Sequence, residues 1–303
     1  MPAENTEKTS QFDAWILAIR PKTLPAAASP VVIGSALAFV DGKFDFWPAL
    51  TALLGSLLLQ IISNVANDLF DFKRGADAGE RLGPTRVTQA GLLTSDQVQR
   101  GLMILIGLTV LIGIYLVIHA GWLILVLGVV AIISAVAYTG GPFPLAYHGL
   151  GDLFVFVFFG LAATAGTYFV QVGTVSSAAW WMACSIGLLI VAILIVNNLR
   201  DIESDRAAGK RTLAVRFGVH ISRLEYAFCI FGAYAIPMVT WALGLTSFWG
   251  LVVFLSIPMA WRCVRVVNIE TGGALNKVLA GTGRLGLVFA LLFSFGIIAN
   301  TLW

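Results

Sequence analysis

The chain has 303 residues, of which 58% are hydrophobic and 12% are charged, and its formal net charge is +3. A soluble globular domain carries about 25% charged residues, so this chain has too few polar groups to cover a water-facing surface. The composition excludes an ordinary soluble enzyme, a disordered protein and a nucleic-acid-binding protein. The cysteines stand alone in apolar stretches, at Cys184, Cys229 and Cys263, and their spacing fits neither a disulfide framework nor a zinc site.

Nine apolar runs, each close to the length that a helix needs to cross a bilayer, follow one another along the chain. They lie at residues 24–40, 48–67, 101–118, 121–138, 152–170, 179–198, 224–243, 248–267 and 284–302. Only helices and closed barrels satisfy their backbone hydrogen bonds in lipid, and these runs are too long for barrel strands. The sequence therefore predicts an all-α, polytopic membrane bundle of about nine transmembrane helices. We expect a single domain over residues 1–303, with a polar tail at residues 1–20.

The basic residues indicate how this bundle is oriented. When the loops between the nine spans are assigned alternately to two sides, one side receives every Lys and Arg except Lys43. Loops rich in Lys and Arg remain in the cytoplasm. We therefore expect a multi-pass protein of the cytoplasmic (inner) membrane, with the N-terminus inside and the C-terminus outside. The two long polar loops, residues 68–100 and 199–223, would then both face the cytoplasm.

Each of these two loops begins with a polar motif at the end of an apolar run. The first motif is Asn67-Asp68-Leu-Phe-Asp71, and the second is Asn197-Asn198-Leu-Arg200-Asp201, followed by Asp205. The two five-residue segments agree at three positions, which indicates a weak internal repeat and suggests two halves of one site.

The spacing within the motifs places oxygen atoms on one helix face. Residues four apart are neighbours on a helix, so Asn67 lies beside Asp71, and Asn197, Asp201 and Asp205 form a row. Such a row is costly at a membrane helix end unless it is paired or faces water. Mg²⁺ prefers these hard oxygen ligands and leaves room for water and substrate phosphate. Two facing rows would hold two Mg²⁺ ions bridged by a diphosphate.

Basic side chains accompany both motifs and could bind the remaining phosphate oxygens by charge-assisted hydrogen bonds. They are Lys73, Arg74, Arg81, Lys210 and Arg211. The alternative is that acidic and basic residues interleaved in a loop form only a solvated face. The match between two motifs at equivalent span ends favours a site.

An NDxxD motif with a following Asp, together with a later NxxxDxxxD, resembles the UbiA-type intramembrane prenyltransferases. The likeness extends over most of the chain. It includes Arg20-Pro-Lys22-Thr-Leu-Pro25, Gly83-Pro84-Thr85-Arg86-Val87, Tyr138-Thr-Gly-Gly141-Pro142 and Arg216-Phe-Gly218. This set is similar to the menaquinone branch of the family, which prenylates 1,4-dihydroxy-2-naphthoate. The last Asp of the first motif, Asp77, lies six residues after Asp71, whereas the wider family more often has four.

The resemblance implies a transferase that uses a polyprenyl diphosphate and Mg²⁺. The allylic C–O bond ionises while Mg²⁺ stabilises the diphosphate, and the aromatic acceptor attacks the carbocation. In the naphthoate branch CO₂ is lost and demethylmenaquinone forms. The expected metal ligands are Asn67, Asp68, Asp71, Asp77, Asn197, Asp201 and Asp205, with Asp71, Asp201 and Asp205 as the catalytic set.

Two further segments could bind the acceptor. Arg20 and Lys22 precede the first span, where they are either basic anchors or contacts to the diphosphate or to the acceptor carboxylate. The uncharged loop after the fourth span resembles a family loop that covers the active site. In it Tyr138, Tyr147 and His148 could orient the acceptor hydroxyls. Asp152 begins the fifth span and is either a helix N-cap or functional.

Other functions remain open at this stage. A transporter would also be a bundle with internal repeats, but its sites lie near mid-membrane, whereas the charged clusters here lie at one rim. A CDP-alcohol phosphotransferase places a Gly after its first Asp, which neither motif does. Within the family, 4-hydroxybenzoate, haem or a chlorophyll precursor are alternative acceptors.

Overall fold

The computed structural model describes residues 10–75 and 82–302, and every regular element in this part of the chain is helical. Twelve α-helices occur in the described residues. They are α1 (Gln11–Ile19), α2 (Leu24–Val40), α3 (Phe46–Lys73), α4 (Ser95–Ala120), α5 (Trp122–Ala137), α6 (Gly151–Val155), α7 (Ala163–Val172), α8 (Ser177–Arg200), α9 (Ile202–Ala207), α10 (Leu213–Ala242), α11 (Ile257–Ile269) and α12 (Leu275–Leu302). A π-helical turn, Phe156–Ala162, joins α6 to α7, and a 3₁₀ segment, Phe248–Ser256, precedes α11.

These helices make the protein a multi-pass membrane protein. Within the described residues, eight helical segments are long and apolar enough to cross a bilayer, and the shorter apolar helix α5 is the ninth. The predicted all-α bundle is confirmed, and each of the nine predicted runs falls on one of these segments. The side that each loop faces stays a prediction.

Two local features differ from the sequence-based expectation. Residues 11–19 of the expected polar tail form helix α1, which begins at Ser10, whose hydroxyl accepts the Asp13 N–H. The row Asn197–Asp201–Asp205 is not one continuous helix. Helix α8 ends at Arg200, and Asp201 is the break before the short helix α9.

Two apolar cores hold the bundle together. The larger core joins α2, α8, α10, α11 and α12 around fully buried side chains such as Leu189, Tyr226 and Phe289. The smaller core joins α1, α3 and α4 and includes Val87, which lies in the segment after α3. Because Val87 and Leu93 are buried in this core, residues 82–94, which precede α4, are anchored to the bundle.

Close helix contact shapes the π-helical turn. A Cβ atom at Gly160 would lie 2.6 Å from the Gly187 Cα atom of α8, so these two helices touch through glycine, as membrane helices often do. Single π-helical turns commonly mark functional sites in helices. The contact sets the position of Phe159, one residue before Gly160, whose side chain lines the cavity described next.

Candidate active site

The two polar motifs lie on opposite sides of one cavity at the end of the bundle where α3 and α8 terminate. The cavity has a volume of about 230 Å³. The side chains that line it and carry charge or amide groups are Arg20, Gln60, Asn64, Asn67, Asp71, Arg86, Asn197, Asn198, Arg200, Asp201, Asp205 and Lys210. The two motifs that the sequence paired therefore line the same cavity.

Asp71 is the most heavily bonded residue of the first motif. Its Oδ2 atom lies 2.6 Å from Arg86 Nη2 and 3.1 Å from Lys210 Nζ, and its Oδ1 atom accepts the Tyr147 hydroxyl at 2.9 Å. The carboxylate is only 1% exposed. Charge is tolerated at this depth because two cations and a phenol surround it.

Tyr147 is positioned to support Asp71 rather than to line the cavity. Burial raises the pKa of its phenol, and the neighbouring Asp71 carboxylate raises it further. The phenol therefore stays protonated and donates. The Arg74 and Lys210 cations each lie 5.2 Å from the centre of its ring, which adds cation–π attraction.

Asp68 has a different environment from Asp71. Its two oxygen atoms accept the backbone N–H groups of Val87 and Thr88 at 2.9 and 3.0 Å. A carboxylate that accepts backbone N–H groups makes strong, charge-assisted bonds. Asp68 thus fixes the segment after α3 and does not line the cavity. A metal role for Asp68 stays a prediction, and Asp77 lies outside the described residues.

The second motif is organised by Arg200. Its guanidinium donates to both oxygens of Asp201, at 2.8 and 2.5 Å, to Asn197 Oδ1 at 2.8 Å and to Asn276 Oδ1 at 2.9 Å. The side chain is almost fully buried. A bidentate arginine–carboxylate pair fixes the orientation of the two side chains relative to each other. Arg200 therefore holds Asn197 and Asp201 in place, although helix α8 ends between them.

Lys210 connects the two motifs. Its Nζ atom lies 3.1 Å from Asp71 Oδ2 and 3.4 Å from Asp205 Oδ1. Burial raises the pKa of Asp205. The Lys210 ammonium lowers this pKa, and the nearby Asp201 carboxylate raises it further. The acidic side chains on this wall are therefore incompletely neutralised by the protein's own cations.

Protein atoms supply only part of the ligand set that Mg²⁺ needs. Among the described residues, no three His, Cys, Asp or Glu side chains form a ready-made metal centre. The cavity nevertheless gathers the oxygen-bearing side chains of Asn67, Asp71, Asn197, Asp201 and Asp205. Mg²⁺ commonly binds one or two carboxylates and takes its remaining ligands from water and substrate phosphate, and this donor set suits that arrangement.

The predicted diphosphate-binding residues separate into two groups. Lys210 lines the cavity, but Lys73 turns away and bonds Gln99 Oε1 at 2.9 Å, and the Arg74 guanidinium bonds the Gly141 carbonyl oxygen. Arg211 is exposed, and Arg81 lies outside the described residues. Arg86 and Arg200 also line the cavity, but neither was assigned to the site from the sequence. The need to neutralise buried Asp side chains was the signal that could have found them.

The predicted acceptor-binding residues also divide. Arg20 and Tyr138 line the cavity, whereas Lys22 is exposed. His148 stacks on Phe143, with ring centres 3.6 Å apart, and its Nδ1 atom lies 2.9 Å from the Pro144 carbonyl oxygen.

Asp152 is not the N-cap of its helix. The capping residue of α6 is Leu150, and Asp152 lies inside the first turn. It is buried, and its Oδ1 atom has no hydrogen-bond partner among the described residues.

An apolar groove continues from the polar cavity. It has a volume of about 340 Å³ and lies between α3, α4, α5 and α7. Ser63, Tyr138, Val155 and Phe159 line both spaces. A ligand with a charged head and a long apolar tail could therefore occupy both at once. No residue of this groove could be predicted from the sequence, because apolar side chains that line a groove and apolar side chains that pack look alike in a membrane helix.

Comparison with known proteins identifies relatives over almost the whole chain. Residues 27–285 match the sequence profile of the "UbiA prenyltransferase family". The chain is 39% identical over 298 residues to a "1,4-dihydroxy-2-naphthoate octaprenyltransferase" of Escherichia coli (strain K12), covering 96% of this chain and 97% of that protein. It is 39% identical over 285 residues to the protein of the same description in Mycobacterium tuberculosis, covering 93% and 96%.

Solved structures show the same fold. A UbiA homolog from Archaeoglobus fulgidus bound to GPP and Mg²⁺ superposes with a TM-score of 0.68 at 15% identity, covering 94% of this chain and 99% of that chain. The apo structure of a UbiA homolog from Aeropyrum pernix K1 superposes with a TM-score of 0.70 at 14% identity, covering 91% and 97%.

Proposed function

The chain belongs to the UbiA prenyltransferase family, and from this premise we propose the reaction that its site carries out. The protein transfers a polyprenyl group from polyprenyl diphosphate to 1,4-dihydroxy-2-naphthoate. The allylic C–O bond breaks and diphosphate leaves with the electron pair. The ring carbon that bears the carboxylate then forms the new C–C bond. Loss of CO₂ returns an electron pair to the ring and gives demethylmenaquinone in its quinol form, a step of menaquinone biosynthesis.

One observation carries this proposal: a cavity lined by cations and Asn and Asp side chains opens directly into an apolar groove. A polyprenyl diphosphate has the same two parts in the same order. Its charged head fits the cavity near Lys210, and its tail fits the groove between α3, α4, α5 and α7. The reacting carbon joins head to tail, so it lies at the junction, beside Tyr138 and Phe159.

The site is suited to a diphosphate held with divalent metal. We propose that Asn67, Asp71, Asn197, Asp201 and Asp205 would hold two Mg²⁺ ions. When bound, Mg²⁺ supplies Lewis-acid stabilisation of the leaving diphosphate. The carboxylates of the two motifs are the residues whose loss should stop the reaction.

The protein's own cations stabilise the leaving group further. Lys210 already lies between the two motifs, where a bridging diphosphate would be, and Arg86 and Arg200 border the same space. Each of these three cations can bind phosphate oxygens by charge-assisted hydrogen bonds. Their burial strengthens the interaction because water does not compete for them.

Arg20 is the residue that we assign to the acceptor carboxylate. It is the cation of the N-terminal segment that lines the cavity, and Lys22 points outward. The Tyr138 side chain borders both spaces, where it can orient the acceptor ring against the allylic carbon. Tyr147 acts through Asp71. The apolar walls of the groove also keep water from the carbocation.

We further propose that the site faces the cytoplasm of an inner membrane. The loops between α3 and α4 and between α9 and α10 carry the basic residues that favour the inside. Cysteines introduced at Ala90 and Ala207 should be labelled from the same side, and a cysteine at Lys43 from the other. Labelling of Ala90 and Ala207 from opposite sides would contradict this orientation.

The function is tested with two competing acceptors. Detergent-solubilised protein receives Mg²⁺, a polyprenyl diphosphate, naphthoate labelled at its carboxyl carbon and 4-hydroxybenzoate labelled in its ring. We expect labelled CO₂ in equal amount to prenylated naphthoquinol. Prenylation of the benzoate alone, with its carboxylate retained, would refute the naphthoate acceptor. A transporter would yield no prenylated product.

A further inference from the structure

Arg20 has a backbone conformation that its side chain disfavours. Its φ is 54° and its ψ is 68°, and among the described residues it is the only non-glycine with positive φ. A residue with a Cβ atom is strained there, and such strain is concentrated at functional sites. Glycine at position 20 would relieve this strain. The presence of Arg instead indicates that the side chain has a role that offsets the strain.

A set of hydrogen bonds holds the turn at residues 19–23, which we call the Arg20 corner. The Thr23 N–H and the Thr23 hydroxyl both donate to the Arg20 carbonyl oxygen, each at 2.9 Å. These bonds close the corner from within. They leave the carbonyl oxygen of Ile19, at the end of α1, without a partner inside its own helix.

Asn64 of α3 satisfies that carbonyl and ties the corner to the bundle. Its Nδ2 atom donates to Ile19 O at 2.9 Å and to Thr23 Oγ1 at 3.0 Å, so it grips the residues on both sides of Arg20. Asn64 is itself held by Gln60, whose Nε2 atom lies 3.3 Å from Asn64 Oδ1. Asn64 is only 4% exposed, so water competes little for these bonds.

Asn64 also lies close to the first motif and to the polar cavity. It lies one helical turn before Asp68 on α3, and both Asn64 and Arg20 line the polar cavity. The corner therefore has its reference point on the same helix that carries the first motif. Asn64 supplies the two shorter bonds from α3 to the corner, at 2.9 and 3.0 Å, and Gln60 adds a longer one, 3.4 Å from its Nε2 atom to Thr23 Oγ1.

We propose that Asn64 is a positioning residue for the acceptor. It holds the strained Arg20 corner so that the guanidinium meets the acceptor carboxylate in register with the first motif. Asn64 touches neither metal nor diphosphate in this role. The inference rests on the proposed function and deepens it, because it separates acceptor selection from the diphosphate chemistry.

The test is a double-mutant cycle on the apparent KM for the acceptor, with the KM for the donor and the half-saturating Mg²⁺ concentration measured alongside. Asn64→Ala should raise the acceptor KM about tenfold, the effect of one weakened charge-assisted hydrogen bond, while the other two constants and kcat stay within about twofold. Arg20→Gly, which removes both the side chain and the strain, should raise it at least as much. The double variant should be no worse than Arg20→Gly, because coupled residues are not additive.

A matched control removes a buried hydrogen bond elsewhere in the bundle. Ser185 Oγ donates to the Ala233 carbonyl oxygen at 2.7 Å, away from both the cavity and the groove. Ser185→Ala should leave all three constants unchanged. Thr23→Val, which keeps the shape of Thr23 and removes its hydroxyl, repeats the Asn64 experiment should Asn64→Ala not fold.

A spin label at position 20, in a background without the three native cysteines, reads the position of the corner without turnover. Asn64→Ala should increase the mobility of the label. An unchanged acceptor KM, full additivity with Arg20→Gly, or an unchanged label mobility would overturn the inference. Absence of any naphthoate product from the unmodified protein would instead count against the proposed function, and the label would still decide whether Asn64 holds the corner.

Discussion

Replacement of Lys210 by methionine should loosen the contact between the two halves of the site. At an effective dielectric constant of about 20, an ammonium 3.1 Å from Asp71 and 3.4 Å from Asp205 gains about 5 kcal/mol from each pair before desolvation. Burying the ammonium offsets much of this gain. Breaking a buried ion pair costs about 3–5 kcal/mol in measured cases. Arg86 still neutralises Asp71 in the variant, so we expect the lower end, about 3 kcal/mol.

The effect is measured as the midpoint of thermal unfolding of the detergent-solubilised protein in EDTA. At about 2 °C per kcal/mol for a chain of this size, Lys210→Met should lower the midpoint by roughly 6 °C. Added Mg²⁺ should reduce the difference in midpoint between the variant and the unmodified protein, because the metal binds the same carboxylates. Lys73→Met is the control, since Lys73 is exposed and bonds only Gln99 among the contacts above. Equal midpoints for Lys210→Met and the unmodified protein in EDTA would refute the view that this ammonium joins the motifs.

Three further perturbations test other parts of the site. Asp201→Asn should reduce turnover at least about a hundredfold, and it should also lower the free energy of unfolding, because it breaks the ion pair with the buried Arg200. EDTA should stop the unmodified enzyme until Mg²⁺ is restored. A folded Asp201→Asn variant that stays active would exclude Asp201 as a ligand. Asp68→Asn should lower the free energy of unfolding by about 2–3 kcal/mol. The amide NH₂ would face a backbone N–H group that now donates to a carboxylate oxygen, so that two donors would meet. Faster hydrogen exchange at Val87 with an unchanged Mg²⁺ requirement would identify Asp68 as a loop anchor, whereas a raised requirement would identify a ligand. Gly128→Leu should fill the groove and lower kcat/KM about tenfold for long polyprenyl donors but not for geranyl diphosphate, whereas Gly107→Leu, on an exposed face of α4, should change neither.

The spans could be predicted from the sequence because lipid imposes one rule on every transmembrane helix. A run of about 20 apolar residues has few other stable structures. The pairing of NDLFD with NNLRD was equally visible, since two rows of costly polar groups at one rim stabilise each other only if they meet. Helix α1 was missed, although Ser10 and Asp13 have the spacing of a helix start. Its nine residues are too few to give an apolar run.

The directions of individual side chains were harder to predict. Lys73 follows Asp71 by two residues, and two residues turn a helix by about 200°, so one faces the cavity and the other leaves it. The helix face of Asp71 thus contained enough information to exclude Lys73. Tyr147 is different, because its hydroxyl reaches Asp71 only through the path of an irregular loop. No periodic pattern encodes that path.

Each acidic motif has an arginine from its own half of the chain. Asp71 is paired with Arg86, and Asp201 with Arg200. During synthesis the first half therefore enters the bilayer with its buried carboxylate already compensated, long before the second half leaves the ribosome. The second half arrives in the same state. Among the ion pairs of the described residues, only that of Lys210 with Asp71 joins the two halves, so it is a late contact in biogenesis. Assembly can then proceed without an unpaired charge in lipid.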